Sequence, residues 1–133
     1  MSAEVAYLDA SAVVKLLVQE PETPALRRRL KSWPRRASCA LLRVELLRTV
    51  RRAGVPRLME RARRQLASID LISLDDDLLA RAAQIEPPTV RSLDAIHLAA
   101  ALGIGPDLGA IVTYDARMSA AAQALGLPVI APA

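Results

Sequence analysis

The chain predicts an α/β fold: a three-layer α/β/α sandwich around a central parallel sheet. Three observations predict it. Short apolar runs alternate with longer segments of helical period along the whole length. Most of the helical segments open at Ser, Thr, Asp or Pro and close at Gly or Pro, the residues that cap and break helices. Alanine (25 residues) and leucine (21) dominate the composition and favour helix. A length of 133 residues suits one domain over 1–133, with no linker and no repeat.

In order, residues 4–8 read as a short buried strand ending at Asp9. Ser11 is expected to cap a helix through Gln19, which Pro21 stops. Thr23 is expected to cap the next helix, with Pro24 in its first turn and Pro34 beyond Trp33 at its end. Residues 36–39 suit a second strand, and 40–53 a helix ended by Gly54. Pro56 opens a helix to about Ser68. A strand over 69–74 leads into a helix from Asp75 to Ile85, acidic in its first turn where the helix dipole favours it. Pro87-Pro88 forces an extended loop. Ser92 is expected to cap a helix through Leu102, with Gly103 beyond its end. A strand over 110–113, a helix over 116–125 ended by Gly126, and a strand over 128–130 complete the chain.

Composition narrows the function. With Trp33, Tyr7 and Tyr114 as the only aromatics, a protein that stacks single-stranded bases on aromatic platforms is not expected. The lone Cys39 excludes an internal disulfide and a thiolate zinc cluster and suits a reducing, cytoplasmic compartment. The first four residues, Met1 to Glu4, carry no Lys or Arg, so a signal peptide is not expected. No apolar run approaches the roughly 20 residues of a membrane span, and no membrane partner is expected. The net charge of +4 hides an asymmetry: residues 27–64 hold 13 Arg and one Lys against Glu45 and Glu60, a balance of +12. Arginine forks grip phosphates, so this half suggests a polyanionic partner, with Arg48, Arg51 and Arg52 as candidate RNA contacts.

Four carboxylates stand where chemistry collects. Asp9 and Asp115 follow strands, and in open parallel sheets ligands bind at the carboxyl ends of strands. Asp94 lies in the first turn of a helix that is apolar nearly all round, where a carboxylate needs a partner; His97, one turn on, is a candidate. Glu45 sits mid-helix, bordering Leu42, Leu46 and Val50 on one side and Arg48 and Arg52 on the other, and an intrahelical pair with Arg48 is the simplest reading. If the four converge, like charges in one cleft call for a hard divalent cation, Mg²⁺ or Mn²⁺, and suit hydrolysis of a phosphodiester. Ser11 and Thr113 would support the site by hydrogen-bonding the acids or the water of the ion.

The segments Tyr7-Leu8-Asp9-Ala10-Ser11, Val44-Glu45-Leu46, Leu93-Asp94-Ala95-Ile96-His97 and Val112-Thr113-Tyr114-Asp115, in this order, resemble the four acidic motifs of PIN-domain ribonucleases, specifically the VapC-type toxins. The resemblance spans the chain end to end. It implies a PIN fold and a Mg²⁺ or Mn²⁺ site in which Asp9, Glu45, Asp94 and Asp115 are the metal and catalytic residues. It also implies endoribonuclease activity on cellular RNA, a small antitoxin partner and a homodimer. The abundance of Ala and Leu suggests that an apolar groove between the helices of residues 10–33 and those of 41–68 takes an antitoxin helix.

Competing readings fit less well. A response-regulator receiver needs paired acids after the first strand and a late lysine, whereas Asp9 is followed by Ala10 and the only lysines are Lys15 and Lys31. A haloacid-dehalogenase-type phosphatase needs an acid at position 11, where Ser stands. A non-catalytic RNA-binding or scaffold domain is an alternative that retains the arginines, but it leaves Asp94 unexplained; a housekeeping PIN nuclease without an antitoxin is another.

Overall fold

The computed structural model describes residues 3–133; Met1 and Ser2, part of the segment read above for a missing signal charge, lie outside the described residues. Strand β1 (Val5–Leu8) is buried along its whole length, as a strand covered by helices on both faces must be. Helices α1 (Ala10–Leu17) and α2 (Thr23–Leu30) lead to β2 (Arg35–Cys39). Helices α3 (Leu41–Ala53) and α4 (Pro56–Ala67) lead to β3 (Asp70–Ile72). Then come α5 (Asp76–Ala83), α6 (Ser92–Ile104), a single 3-10 turn (Gly105–Asp107), β4 (Leu108–Val112), α7 (Ala116–Ala124) and β5 (Val129–Ile130).

All strand pairs are parallel and the sheet order is β3-β2-β1-β4-β5. The chain builds outward from β1 in one direction and then, through α6, crosses to its other side. The crevice between the carboxyl ends of β1 and β4 is therefore the topological switch point, where such sheets bind ligands. The pleat of β1 divides the core. Ala6 and Leu8 join a cluster with Val13, Leu16, Leu26, Leu30, Leu42, Leu46 and Leu66 from α1–α4. Tyr7 faces the opposite layer, with Cys39, Leu78, Leu98, Ile111 and Met118.

Several expectations need correction. The cap of α1 is Asp9, whose side chain accepts from the Ala12 N–H; Ser11 lies inside the first turn. Thr23 is the first residue of α2 rather than its cap: its hydroxyl donates to the Lys15 carbonyl and accepts from the Glu20 N–H, tying α2 to the end of α1. Helix α6 begins at Ser92 after an uncapped Arg91 and runs past Gly103 to stop at Gly105, whose φ of +71° suits glycine. Nor is α6 buried all round, since Leu93 and Leu102 are exposed. The expected groove between the first and second helix pairs is filled by the continuous cluster of α1–α4 side chains.

Gly109 is the extra residue in the β1–β4 register, which shifts between Val5 and Ala6. A Cβ there would overlap the Trp33 indole, which Arg29 covers with its guanidinium 4.5 Å from the ring centroid. Valine suits strands, yet Gly109→Val is expected to destabilise the chain by on the order of 1–3 kcal/mol, the usual effect of overpacking. An unchanged urea midpoint would show that Trp33 swings aside freely.

Candidate active site

Asp9 is fixed as the single residue between the carboxyl end of β1 and the first turn of α1, which it caps. Its Oδ1 accepts from Ser11 Oγ at 2.6 Å and from the Ala12 N–H at 3.1 Å, and its Oδ2 accepts from Thr113 Oγ1. Ser11 and Thr113 are themselves positioned by backbone: Tyr114 N–H donates to Ser11 Oγ at 2.8 Å, and Asp115 N–H donates to Thr113 Oγ1 at 3.1 Å. This latch joins the end of β1 to the end of β4. The carboxylate is 6% exposed. Burial raises its pKa; the hydrogen bonds from Ser11, Thr113 and Ala12 and the field of His97 oppose that rise.

Asp115 caps α7, its Oδ1 accepting from Arg117 N–H at 2.9 Å and Met118 N–H at 3.4 Å. Asp94, in the first turn of α6, is half-buried. Its pKa is raised by burial first and by the charge of Asp115 second, while Arg117, His97 and Arg91 act in the opposite direction. Asp94 and Asp115 thus share one electrostatic field.

Glu45 reaches the same neighbourhood through a partner that sequence spacing does not reveal. Its Oε1 lies 2.7 Å from His97 Nε2, whereas Arg48 is exposed and makes no ion pair with it among the described residues. The intrahelical pair is therefore replaced by a contact across 52 positions. His97 in turn pairs with Glu45 rather than with Asp94. Its ring is 3% exposed, Nδ1 is 2.7 Å from the Tyr7 hydroxyl and 3.6 Å from Cys39 Sγ, and the Tyr7 ring stands edge-on to it at 81°. Burial lowers the His97 pKa, but the bonds to Cys39 and Glu45 outweigh it and raise the value from 6.5 to about 10. One imidazolium thus bonds Glu45 and acts through space on Asp9 and Asp94. The residue is visible in the sequence as a lone His one turn after Asp94; its role rests on long-range contacts.

Among the described residues, no three His, Cys, Asp or Glu side chains stand close enough together to hold an ion as they lie. The donor types nevertheless fit a hard cation. They are carboxylate oxygens, two of them on groups with pKa values raised by burial, and a divalent ion would relieve that burden. Glu45 Oε2 lies outside the bond to His97.

The PIN domain family matches residues 6–124. The chain belongs to the PIN-domain family. Within it, this PIN domain is 48% identical over 126 residues to Ribonuclease VapC46 of Mycobacterium tuberculosis, covering 95% of this chain and 96% of the relative. It is 44% identical over 130 residues to Ribonuclease VapC47 of the same species, with the same coverage. In structure it resembles Mycobacterium tuberculosis VapC20, described as a sarcin-ricin loop cleaving toxin, with a TM-score of 0.72 at 18% identity over 96% of this chain and 99% of that one. A toxin-antitoxin complex from Klebsiella pneumoniae matches with a TM-score of 0.70 at 21% identity, over 96% and 98%. The two structures share the fold of this PIN domain: five parallel strands between two helical layers.

Outside the four acids, Arg48, Arg51 and Arg52 of the PIN domain are exposed on α3. The arginines that act on Asp94 are Arg91 and Arg117, which lie outside the basic stretch singled out by composition. Among the described residues, no helix is long and apolar enough to cross a membrane.

Proposed function

We propose that this chain is a VapC-type toxin, a divalent-metal-dependent endoribonuclease that hydrolyses RNA phosphodiester bonds at the β1–β4 crevice. The observation that carries the reading is Asp9: a carboxylate 6% exposed at the topological switch point, in a family of ribonucleases. Asp9 and Asp94 would hold the cation, Mg²⁺ or Mn²⁺, with Asp115 and Glu45 completing the set. When bound, such a cation supplies Lewis-acid stabilisation of the charge that builds on a phosphodiester under attack. The chain's own residues do the rest. Ser11 and Thr113 orient Asp9, the α7 N-terminus orients Asp115, and His97 keeps Glu45 turned toward the site.

The partners follow the same reading. RNA phosphates would be held by Arg48, Arg51 and Arg52, in an exposed run that salt screens strongly. A small antitoxin would meet the chain through acidic and apolar side chains. That docking uses the surface cavity at the α3–α4 turn, lined by Val50, Arg51, Val55 and Met59, since the deeper groove is filled. A homodimer is supported by the apolar cavity between α5 and α6, with Leu79, Ile85 and Ile96, beside the exposed Leu93. A lone Cys39 suits a cytoplasmic chain.

The test is metal dependence. Incubated with total RNA, the purified chain is expected to generate new ends in Mg²⁺ or Mn²⁺, to lose that activity in excess chelator, and to regain it on adding either ion back. Undiminished cleavage in chelator would overturn the metal reading.

A further inference from the structure

Beside Asp94, a cavity of about 290 Å³ opens between the loop before α6 and helix α7. Its wall is apolar: Val90 from the loop, and Ala120 and Ala124, one turn apart on the same face of α7. Its charged lining is Arg91, Arg117 and Asp94. The four-carboxylate chemistry uses only the last of these. Neither arginine makes an ion pair among the described residues, although the chain's other ion pairs engage Lys15, Arg35, Arg81 and His97. Both lie near enough to Asp94 to act on its charge.

This combination selects a ligand class. The volume lies at the lower end of ligand pockets, about 300 Å³, and so suits one ring system rather than a longer molecule. The alanine methyls form a smooth apolar wall that accepts the face of a flat ring. No aromatic ring lines the cavity, so a base there rests on the alanine face and not on an aromatic platform. Two free guanidinium groups at the rim match a phosphate. A polyanion brought to a cluster of carboxylates also needs cationic groups beside the cut. The arginines of residues 27–64 lie on α2, β2, α3 and α4, whereas Arg91 and Arg117 flank Asp94 itself.

We propose that this cavity is a nucleotide subsite. It takes the base of one nucleotide adjoining the cut bond, unstacked against Ala120 and Ala124, with its phosphate on Arg91 and Arg117. The proposal rests on the ribonuclease reading for the word RNA, but not for the nucleotide. The subsite makes the chain selective for the base at one position beside the cut, which backbone contacts cannot do.

Two measurements on the full chain test it. Each of the four nucleoside 5′-monophosphates is titrated by NMR into the wild type, Ala124→Leu, which fills the cavity from an exposed position, and Arg117→Gln, which removes a cation. Short RNAs with each base at either side of the cut are then digested. The wild type is expected to bind at least one monophosphate and to prefer one base at one flanking position. Either substitution is expected to weaken binding at least fivefold, and Ala124→Leu to level the base preference at least fivefold. Circular dichroism melts check that both variants fold, and Ala120→Leu replaces Ala124→Leu should that one not fold. Binding unchanged in both kinds of variant, or no binding by the wild type, overturns the subsite. Binding that is lost as expected in a chain that cuts no RNA overturns the ribonuclease reading and leaves the nucleotide site standing.

Discussion

Asp94→Asn is expected to abolish RNA cleavage while leaving the chain at least as stable as the wild type. The loss should exceed the ~10–100-fold that removal of an outer hydrogen-bonding partner typically costs a metal site, because the carboxylate itself is gone. The stability side follows from its titration. Burial and the neighbouring Asp115 raise the Asp94 pKa above 3.8 in the folded chain. A raised carboxyl favours the folded state below about 3.8, and that advantage is lost as pH rises through the folded value. At neutral pH without metal the ionised group is therefore a burden, and the neutral amide removes it. Asp9→Asn shares the loss of cleavage but differs in stability. Its amide nitrogen cannot accept the Thr113 hydroxyl, which forfeits a hydrogen bond worth about 1 kcal/mol. Fluorescent-RNA cleavage together with thermal melts in chelator separates the two effects. Cleavage retained by Asp94→Asn would remove it from the site.

His97→Leu is expected to be the most destabilising single change near the site. It strands the Tyr7 hydroxyl, in a residue 1% exposed, and leaves Glu45 without its partner. Removing one member of a buried pair costs about 3–5 kcal/mol; Glu45, 27% exposed, is partly rescued by water, which favours the lower figure. Against a total stability of roughly 5–15 kcal/mol this is a large fraction. The pH dependence carries a distinct sign. A histidine raised from 6.5 to about 10 contributes stability that is present in full below pH 6.5 and is lost as pH rises through about 10. Urea midpoints at pH 6, 8 and 10 should therefore fall in the wild type and stay flatter in the variant. Parallel slopes would mean that His97 is neutral throughout.

The correspondence between sequence and structure is uneven in an instructive way. Helix ends marked by Gly54 and Gly126, and helix starts marked by Pro56 and Asp75, lie where local chemistry puts them. Serine is a strong cap, which points to Ser11, yet Asp9 caps α1. β1 ends one residue before Asp9, so the first free N–H groups of the helix point at the aspartate. Helix α6 passes through Gly103 because its terminus is set by the turn into β4, not by the first glycine met. Glu45 illustrates the limit best. On α3 alone its nearest cation is Arg48, one turn on; in the fold it bonds a histidine 52 positions away.

By itself the sequence determined the order of strands and helices, the four acids whose order resembles that of a known family, and the charge imbalance. Each of these is encoded by neighbours within a turn or two, or by composition. Only the tertiary structure decided which strand lies centrally, that Tyr7 and Leu8 face opposite layers, that α1–α4 close the expected groove, and that His97 links Glu45 to the crevice. It also decided that the cations acting on Asp94 are Arg91 and Arg117 rather than those of the basic half. The reason is physical. Caps, turns and periodicity are local energies of the backbone, whereas pairing between groups 50 to 100 positions apart depends on sheet register and on which faces the helices bury. Those are chosen by the whole core at once.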